Sequence, residues 1–307
     1  MPGAVGDQSC VRSLELGGTK LTYVVDGAMA MFPSEFFPDV PAEYWANHPE
    51  AVDARGRVAM SAGGLLVERD GRTLLVDAGL GDFDGPVPVG DTTVGIGDSG
   101  DLPATLTALG RSPADVEAVA FTHLHIDHTG WAFAANGDTG HRKFFPNARY
   151  LVAAEEWAPH GRGETIPGAP PRSEVIVPLT GEHTVIADGE EIFPGVRALV
   201  TPGHSPGHTS FVIAAGDERV IVFGDVFHIP AQITHPDWSS RPDIDAVRVL
   251  AARRRLVAEL EQPGTMGFGF HFGDQAFGRV VRGGDGLPSW EPVPAEVLLP
   301  APRLLTE

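Results

Sequence analysis

The sequence predicts an α/β protein, and three observations predict it. Short apolar, β-branched runs bounded by turn residues recur along the 307-residue chain, two segments have helical apolar spacing, and the order strands then helix occurs twice. No short repeat period is present, so the two halves read as one duplicated domain over residues 1–307 rather than two independent units.

The first readable strand is 21–25. A Pro- and aromatic-rich arm follows, about 28–60 at its broadest and densest over 32–49, which contains FPSEFFPDVPAEYW. It is too apolar for a disordered linker, and ordered excursions of this kind often wall a pocket. Residues 63–69 and 73–79 read as two strands joined by a hairpin turn at Asp70-Gly71. Residues 101–110 have proline in the first turn, helical apolar spacing and a terminal glycine, hence a helix. The segment DVEAVAFTH then reads as a buried strand leading into THLHIDHTGW. Further strands are expected at 149–153, 196–201, 208–214 and 220–223, a helix over about 244–260, and a strand at 265–270. A hairpin turning at 283–286 closes the series, and about 294–307 reads as an extended or frayed tail.

Charge and cysteine usage narrow the function. Lys and Arg total 22 against 41 Asp and Glu, a formal charge of -19 that disfavours nucleic acid as a partner. The one dense basic cluster, Arg253 to Arg255, lies in a helical segment and reads as a solvated helix face. The single cysteine, Cys10, fits a reducing compartment. The N-terminal residues carry neither a basic nor an apolar leader pattern, and the apolar runs are too short for a membrane helix, so a cytoplasmic protein with no membrane partner is expected.

The chemistry is concentrated in THLHIDHTGW, where His123, His125, Asp127 and His128 occupy a six-residue span. His123 and His125, two apart, would share one side of an extended loop. One catalytic zinc takes about three protein ligands and a water, so this loop alone oversupplies a single ion. Two ions are the natural reading if ligands recur downstream. They do: TPGHSPGH supplies His204, FGDVFH supplies Asp225 and GFGFHFG supplies His271, each directly after an apolar run. Strands that deliver ligands at their ends could converge them on one rim of a layered sheet.

The complete set resembles the metallo-β-lactamase superfold over roughly residues 20–293. THLHIDHTG matches the HxHxDH signature, and TPGHSPGH, GDVFH and the late histidine follow in the family's order. The resemblance implies an αββα four-layer sandwich. It implies that His123, His125 and His204 hold one ion, that Asp127, His128 and His271 hold a second, and that Asp225 bridges them. Asp77, in VDAGLG, would support the histidine loop. His208 is expected to be structural, and His48, His141, His160, His183 and His235 to be ordinary polar residues.

Two divalent ions, zinc foremost, sharing a hydroxide imply a hydrolase of ester, lactone or related acyl bonds in a small apolar substrate. Asp127 would orient the nucleophile and move its proton. His228 would be one further donor to the oxyanion, or would bond a neighbouring loop carbonyl. Quorum-quenching lactonases of this superfold carry a tyrosine at position 228, and the imidazole here puts acyl-homoserine lactone specificity in question. The run GDVFHIPAQITHPDW and its Arg-rich helix resemble instead the methyl parathion hydrolase-like branch. Class B1 and B2 β-lactamases have cysteine where Asp225 stands, and flavo-diiron proteins have glutamate where His125 stands. The alternatives are a thioesterase on a carrier- or CoA-bound acyl group and a mononuclear iron enzyme of the persulfide dioxygenase kind. Relatives often dimerise, so a homodimer is one assembly the resemblance allows, with the oligomeric state left open by the sequence.

Overall fold

The computed structural model describes residues 2–136, 140–303 and 305, which pair into two large sheets and a small hairpin. The first sheet runs, in spatial order, His183–Ile186, Arg149–Ala153, Ala118–Ala120, Arg72–Val76, Val58–Arg69, Thr19–Met31, Val11–Leu16 and Glu296–Leu299. The second runs Glu191–Phe193, Val196–Val200, Thr209–Ala215, Glu218–Val222, Thr265–Phe268, Phe277–Arg282 and Pro288–Pro292.

The two-residue alternation of strands decides what each sheet face meets. Leu21, Tyr23, Leu65, Val67 and Leu74 of the first sheet pack on Phe211, Ile213, Val220, Val222 and Phe268 of the second. The Tyr23 hydroxyl crosses the same interface and donates to the Phe270 carbonyl at 3.0 Å. The intervening residues Val24, Leu66 and Leu75 face outward and share a second core with Leu102 and Leu106 of the helix Leu102–Ala108. On the other side, Ile221 packs with Leu256 and Val257 of the helix Ala246–Leu260. The layers are therefore helix, sheet, sheet, helix. Burial on both faces is why so many strands read as continuous apolar runs.

Several elements differ from expectation. The strand expected at 21–25 is the middle of Thr19–Met31, whose pairing slips between Val25 and Gly27. Beyond that bulge, Gly27 to Met31 pair with Ser99 to Gly95 of a hairpin, Phe83–Val89 and Thr92–Ser99, that its Gly- and Pro-rich sequence does not signal. The arm is ordered as two short helices, Pro33–Phe36 and Ala42–Asn47, and its outermost residues belong to flanking strands. The strand entering the histidine motif is only Ala118–Ala120. Within the tail, Glu296–Leu299 pairs antiparallel with Val11–Leu16, while Leu304, Thr306 and Glu307 lie outside the described residues.

The basic cluster is not the wholly solvated helix face that its sequence suggests. Arg254 and Arg255 are exposed, but Arg253 is fully buried. At about 100° per residue, position 253 falls on the same stripe as Val249, Leu256 and Leu260, which faces the sheet. No helix among the described residues is long and apolar enough to cross a membrane.

Candidate metal centre

Every candidate ligand follows the C-terminal end of a strand. Ala118–Ala120 leads to His123 and His125, Val196–Val200 to His204, Glu218–Val222 to Asp225, and Thr265–Phe268 to His271. Asp127 and His128 sit on the single helical turn Ile126–Thr129, with His125 extended just before it. The structure brings all seven together. His123, His125, His204 and Asp225 form one group and Asp127, His128, Asp225 and His271 another, each with donor atoms within 4.8 Å of one another.

Asp225 divides its two oxygens between the groups. Oδ1 lies 3.2 Å from His128 Nε2 and 3.2 Å from His271 Nε2. Oδ2 lies 3.4 Å from His204 Nε2 and 3.7 Å from His123 Nε2. Two donors on one tetrahedral ion at about 2.0–2.1 Å stand roughly 3.4 Å apart, so these spacings suit ions better than hydrogen bonds. Nε2 of His123, His128 and His271 and Oδ1 of Asp225 are buried and without a hydrogen-bond partner. Such groups are costly to leave alone, and a cation in each group would satisfy them.

The opposite nitrogens fix the rings. His128 Nδ1 donates to Asp77 at 2.8 Å, His204 Nδ1 to Asp243 at 2.9 Å, His271 Nδ1 to the Ser61 carbonyl at 3.0 Å and His123 Nδ1 to Thr122 Oγ1 at 3.0 Å. With Nδ1–H committed, each ring presents the Nε2 lone pair inward. His125 is turned the other way, its Nδ1 3.1 Å from His204 Nε2. Its ring lies against Gly168, whose positive φ of 79° and close approach, 3.1 Å from a Cβ added there, would strain any residue with a side chain. Glu156, fully buried, accepts from Leu124 N, Ser205 Oγ and Gly207 N, tying the histidine motif to the His204 loop.

His208 takes the structural role expected of it. Its Nε2 accepts the Asp225 backbone N–H at 3.0 Å, so Nδ1 carries the proton and faces Thr201 Oγ1. Burial holds this imidazole down at about 3, which keeps it neutral. The remaining five histidines divide. His48, His141, His183 and His235 stay outside the centre, but His160 is buried with Nε2 unpartnered.

The electrostatics of the centre are those of interleaved bases and acids. Burial, and then the neighbouring imidazoles, push His123 well below the usual histidine range. Burial acts on His128 in the same direction, yet Asp225, Asp127 and Asp77 outweigh it and hold the ring well above that range. Burial raises Asp225, but the facing imidazoles of His128, His271 and His228 overcome it and hold the carboxyl low.

His228 lies on the Oδ2 side, its Nε2 3.1 Å from Asp225. Its Nδ1 meets the Ser240 hydroxyl at 3.2 Å rather than a loop carbonyl, and its backbone N–H donates to Gln232 Oε1. Phe36 of the arm packs edge-on against the ring at 5.3 Å.

Above Asp127, Asp225, His228 and His271 opens a pocket with about 460 Å³ of atom-free space, its mouth included. Met29, Met31 and Met60 line one part, and Phe36, Val87, Val89 and Ile126 another. No lysine or arginine among the described residues lines it. The arm does wall the pocket, through Phe36, but the hairpin Phe83–Val89 supplies as much wall and was not foreseen.

Asp26, Asp243 and Glu156 were also missed. Asp26 occupies the bulge in Thr19–Met31, where its carboxylate accepts from Leu80 N, Gly81 N, Leu102 N and Trp131 Nε1. Burial pushes it up to about 6 despite those four donors. The only sequence signal for these three is an acid beside an apolar run, which does not tell a buried carboxylate from a turn residue.

Comparison with known proteins agrees with this geometry. Residues 64–275 match the family model of the metallo-beta-lactamase superfamily. A 157-residue stretch is 29% identical to an N-acyl homoserine lactonase of Bacillus cereus, covering 48% of this chain and 56% of that protein. A 147-residue stretch is 30% identical to N-acyl homoserine lactonase AttM of Agrobacterium fabrum, covering 44% and 49%. The chain thus spans about half the length of the curated relatives it matches. Among solved structures it is similar to the dizinc quorum-quenching lactonase AidC, with a TM-score of 0.76 at 22% identity over 94% of this chain and 99% of that one. It is similar also to the hydrolase AbOPH, with a TM-score of 0.71 at 21% identity over 93% and 98%. At these identities the structural likeness concerns the fold.

Proposed function

We propose, because this chain belongs to the metallo-beta-lactamase superfamily, that it is a hydrolase with two divalent ions that opens a lactone or a related small, neutral ester. The observation that carries the reading is the pair of ligand groups sharing Asp225 at the floor of an apolar pocket. His123, His125 and His204 would hold one ion and Asp127, His128 and His271 the other, with Asp225 between them and zinc the foremost candidate. Ions held there would supply a water of lowered pKa and a Lewis acid for the scissile carbonyl.

The chain's own residues supply the rest. Asp127 is the most exposed of the candidate ligands, with its side chain 18% accessible, and it lines the pocket. Its carboxylate orients the attacking water and carries the proton toward the departing alkoxide. With the Ser240 hydroxyl as donor to His228 Nδ1, the ring proton would sit on Nε2 of a side chain that lines the pocket, where it would stabilise the developing oxyanion. Met29, Met31, Met60 and Phe36 take up an apolar substituent and exclude water around it.

Among the described residues, no lysine or arginine lines the pocket to engage a CoA or other phosphate-bearing carrier, which weighs against the thioesterase reading. Two complete ligand groups weigh against a mononuclear iron enzyme. The single-cysteine, acidic composition supports a cytoplasmic setting. N-acyl homoserine lactones, the substrates named for the relatives, are the first to try.

Steady-state rates on matched panels of lactones, aryl esters, acyl-CoA thioesters and phosphotriesters, together with metal analysis, test the proposal. Lactone or ester turnover with two ions per chain is expected. Turnover confined to thioesters, or one iron per chain with oxygen uptake, would overturn it.

A further inference from the structure

We infer that Arg253 is the positioning residue of this centre: one buried guanidinium sets both the His204 ligand and the His228 donor, through Asp243 and the loop 226–243. The inference rests on the ligand reading given above and adds to it a residue that touches no ligand.

Arg253 is inaccessible to solvent and spends its donors on four acceptors. Nε donates to the Val226 carbonyl at 2.7 Å, the residue directly after Asp225. Nη1 donates to the Trp238 carbonyl at 2.7 Å and, at 3.4 Å, to the Pro236 carbonyl, and Nη2 donates to Asp243 Oδ2 at 2.9 Å. A planar fork of fixed geometry is suited to hold several acceptors at once, as a lysine would not be.

Two of these acceptors, Asp243 and the Trp238 carbonyl, lead to the centre. Asp243 Oδ1 receives His204 Nδ1 at 2.9 Å, so the carboxylate clamped by Arg253 fixes the ring that faces Asp225 Oδ2. Asp243 Oδ2 also receives the Ser240 backbone N–H at 2.9 Å, and Ser240 Oγ meets His228 Nδ1. Trp238 O, held by Arg253, is held too by Gln232 Nε2 at 2.9 Å, and Gln232 Oε1 takes the His228 backbone N–H at 2.7 Å. The guanidinium therefore approaches His228 from two sides and His204 from one. It makes no hydrogen bond to Asp127, His128 or His271, and its bond to the Val226 carbonyl reaches only the backbone beside the shared Asp225.

That asymmetry separates positioning from mere stability. A residue that only supported the fold would affect both ions alike. A positioning residue on this side affects the ion of His123, His125 and His204 and the donor His228, and leaves the other ion alone.

Zinc titration of stripped protein against a chromogenic chelator resolves the two affinities, with circular dichroism reporting the fold. Wild type binding fewer than two ions would sink the ligand reading itself, whatever Arg253 does. With two bound, Asp243→Asn is expected to weaken one ion about 10- to 100-fold and leave the other unchanged. Ser240→Ala is expected to lower kcat on the best panel substrate, with KM and both metal affinities unchanged. Arg253→Met is expected to combine the two effects. If that variant fails to fold, Asp243→Asn alone decides: equal weakening of both ions, or weakening of neither, overturns the inference.

Discussion

The Asp77 carboxylate and the His128 imidazole meet at 2.8 Å, and the same carboxylate accepts from Thr122 N and Oγ1, each at 2.7 Å. One side chain thus orients a proposed ligand and anchors the start of the motif that carries four of them. Asp77 stands at a φ of 62°, a conformation that asparagine tolerates. Asp77→Asn removes the charge without adding backbone strain. It is expected to weaken the ion of Asp127, His128 and His271 about 10- to 100-fold, read by chelator competition.

Asp127 tests the chemistry more directly. Asp127→Ala is expected to lower kcat about 100- to 10,000-fold, while the thermal melt of the metal-free protein stays in place because this side chain is the least buried of the set. Retained turnover would refute its role.

Metal removal should be felt in stability. The unpartnered Nε2 atoms and Asp225 Oδ1 are buried polar groups that a cation satisfies only in the folded chain. Zinc at about a hundredfold excess over Kd is expected to add about 2.7 kcal/mol per site. Differential scanning calorimetry with and without chelator checks this, and an unchanged melt would count against a built site.

His160, which belongs to neither ligand group, gives stability a pH dependence of its own. Burial, with Arg172 adding to it, holds its imidazole down at about 4, below the ordinary histidine value of about 6.5. The unfolded chain therefore takes up this proton first. Its contribution is complete above about pH 6.5 and is lost as pH falls toward 4. Urea midpoints for wild type should fall through that window more steeply than those of His160→Gln, and parallel curves would reject the assignment.

The pocket predicts a trend along a homologous series. Each methylene buried against Met29, Met31 and Met60 is worth about 0.8 kcal/mol, or roughly fourfold in kcat/KM, until the space is filled. Lactones of increasing acyl length should show that rise and then a plateau. A flat series would place the chain outside the pocket.

The positions of all seven proposed ligands could be read from the sequence because ligand-type residues there sit directly after apolar runs, and strand ends are where a layered sheet gathers side chains. The hairpin Phe83–Val89 and Thr92–Ser99 could not, because DFDGPVPVGDTTVGIGDSG has the glycines and prolines of a loop and its pairing partner lies some seventy residues away, at Gly27 to Met31. Asp26 was hidden by a bulge, which no periodicity announces. Arg253 was misread because a basic run on an amphipathic helix is ordinarily solvated, and the carbonyls of Val226 and Trp238 that justify its burial come from a loop whose path the sequence does not disclose.

The hairpin has a use for protein engineering. It joins the sheet through one strand beyond the bulge, and none of the hydrogen bonds that aim the proposed ligand rings starts or ends within residues 83–99. Wall and centre are thus separate cassettes. Residues such as Val87 and Val89 can be randomised as a block to retune which substrates enter, leaving the donor set as inherited.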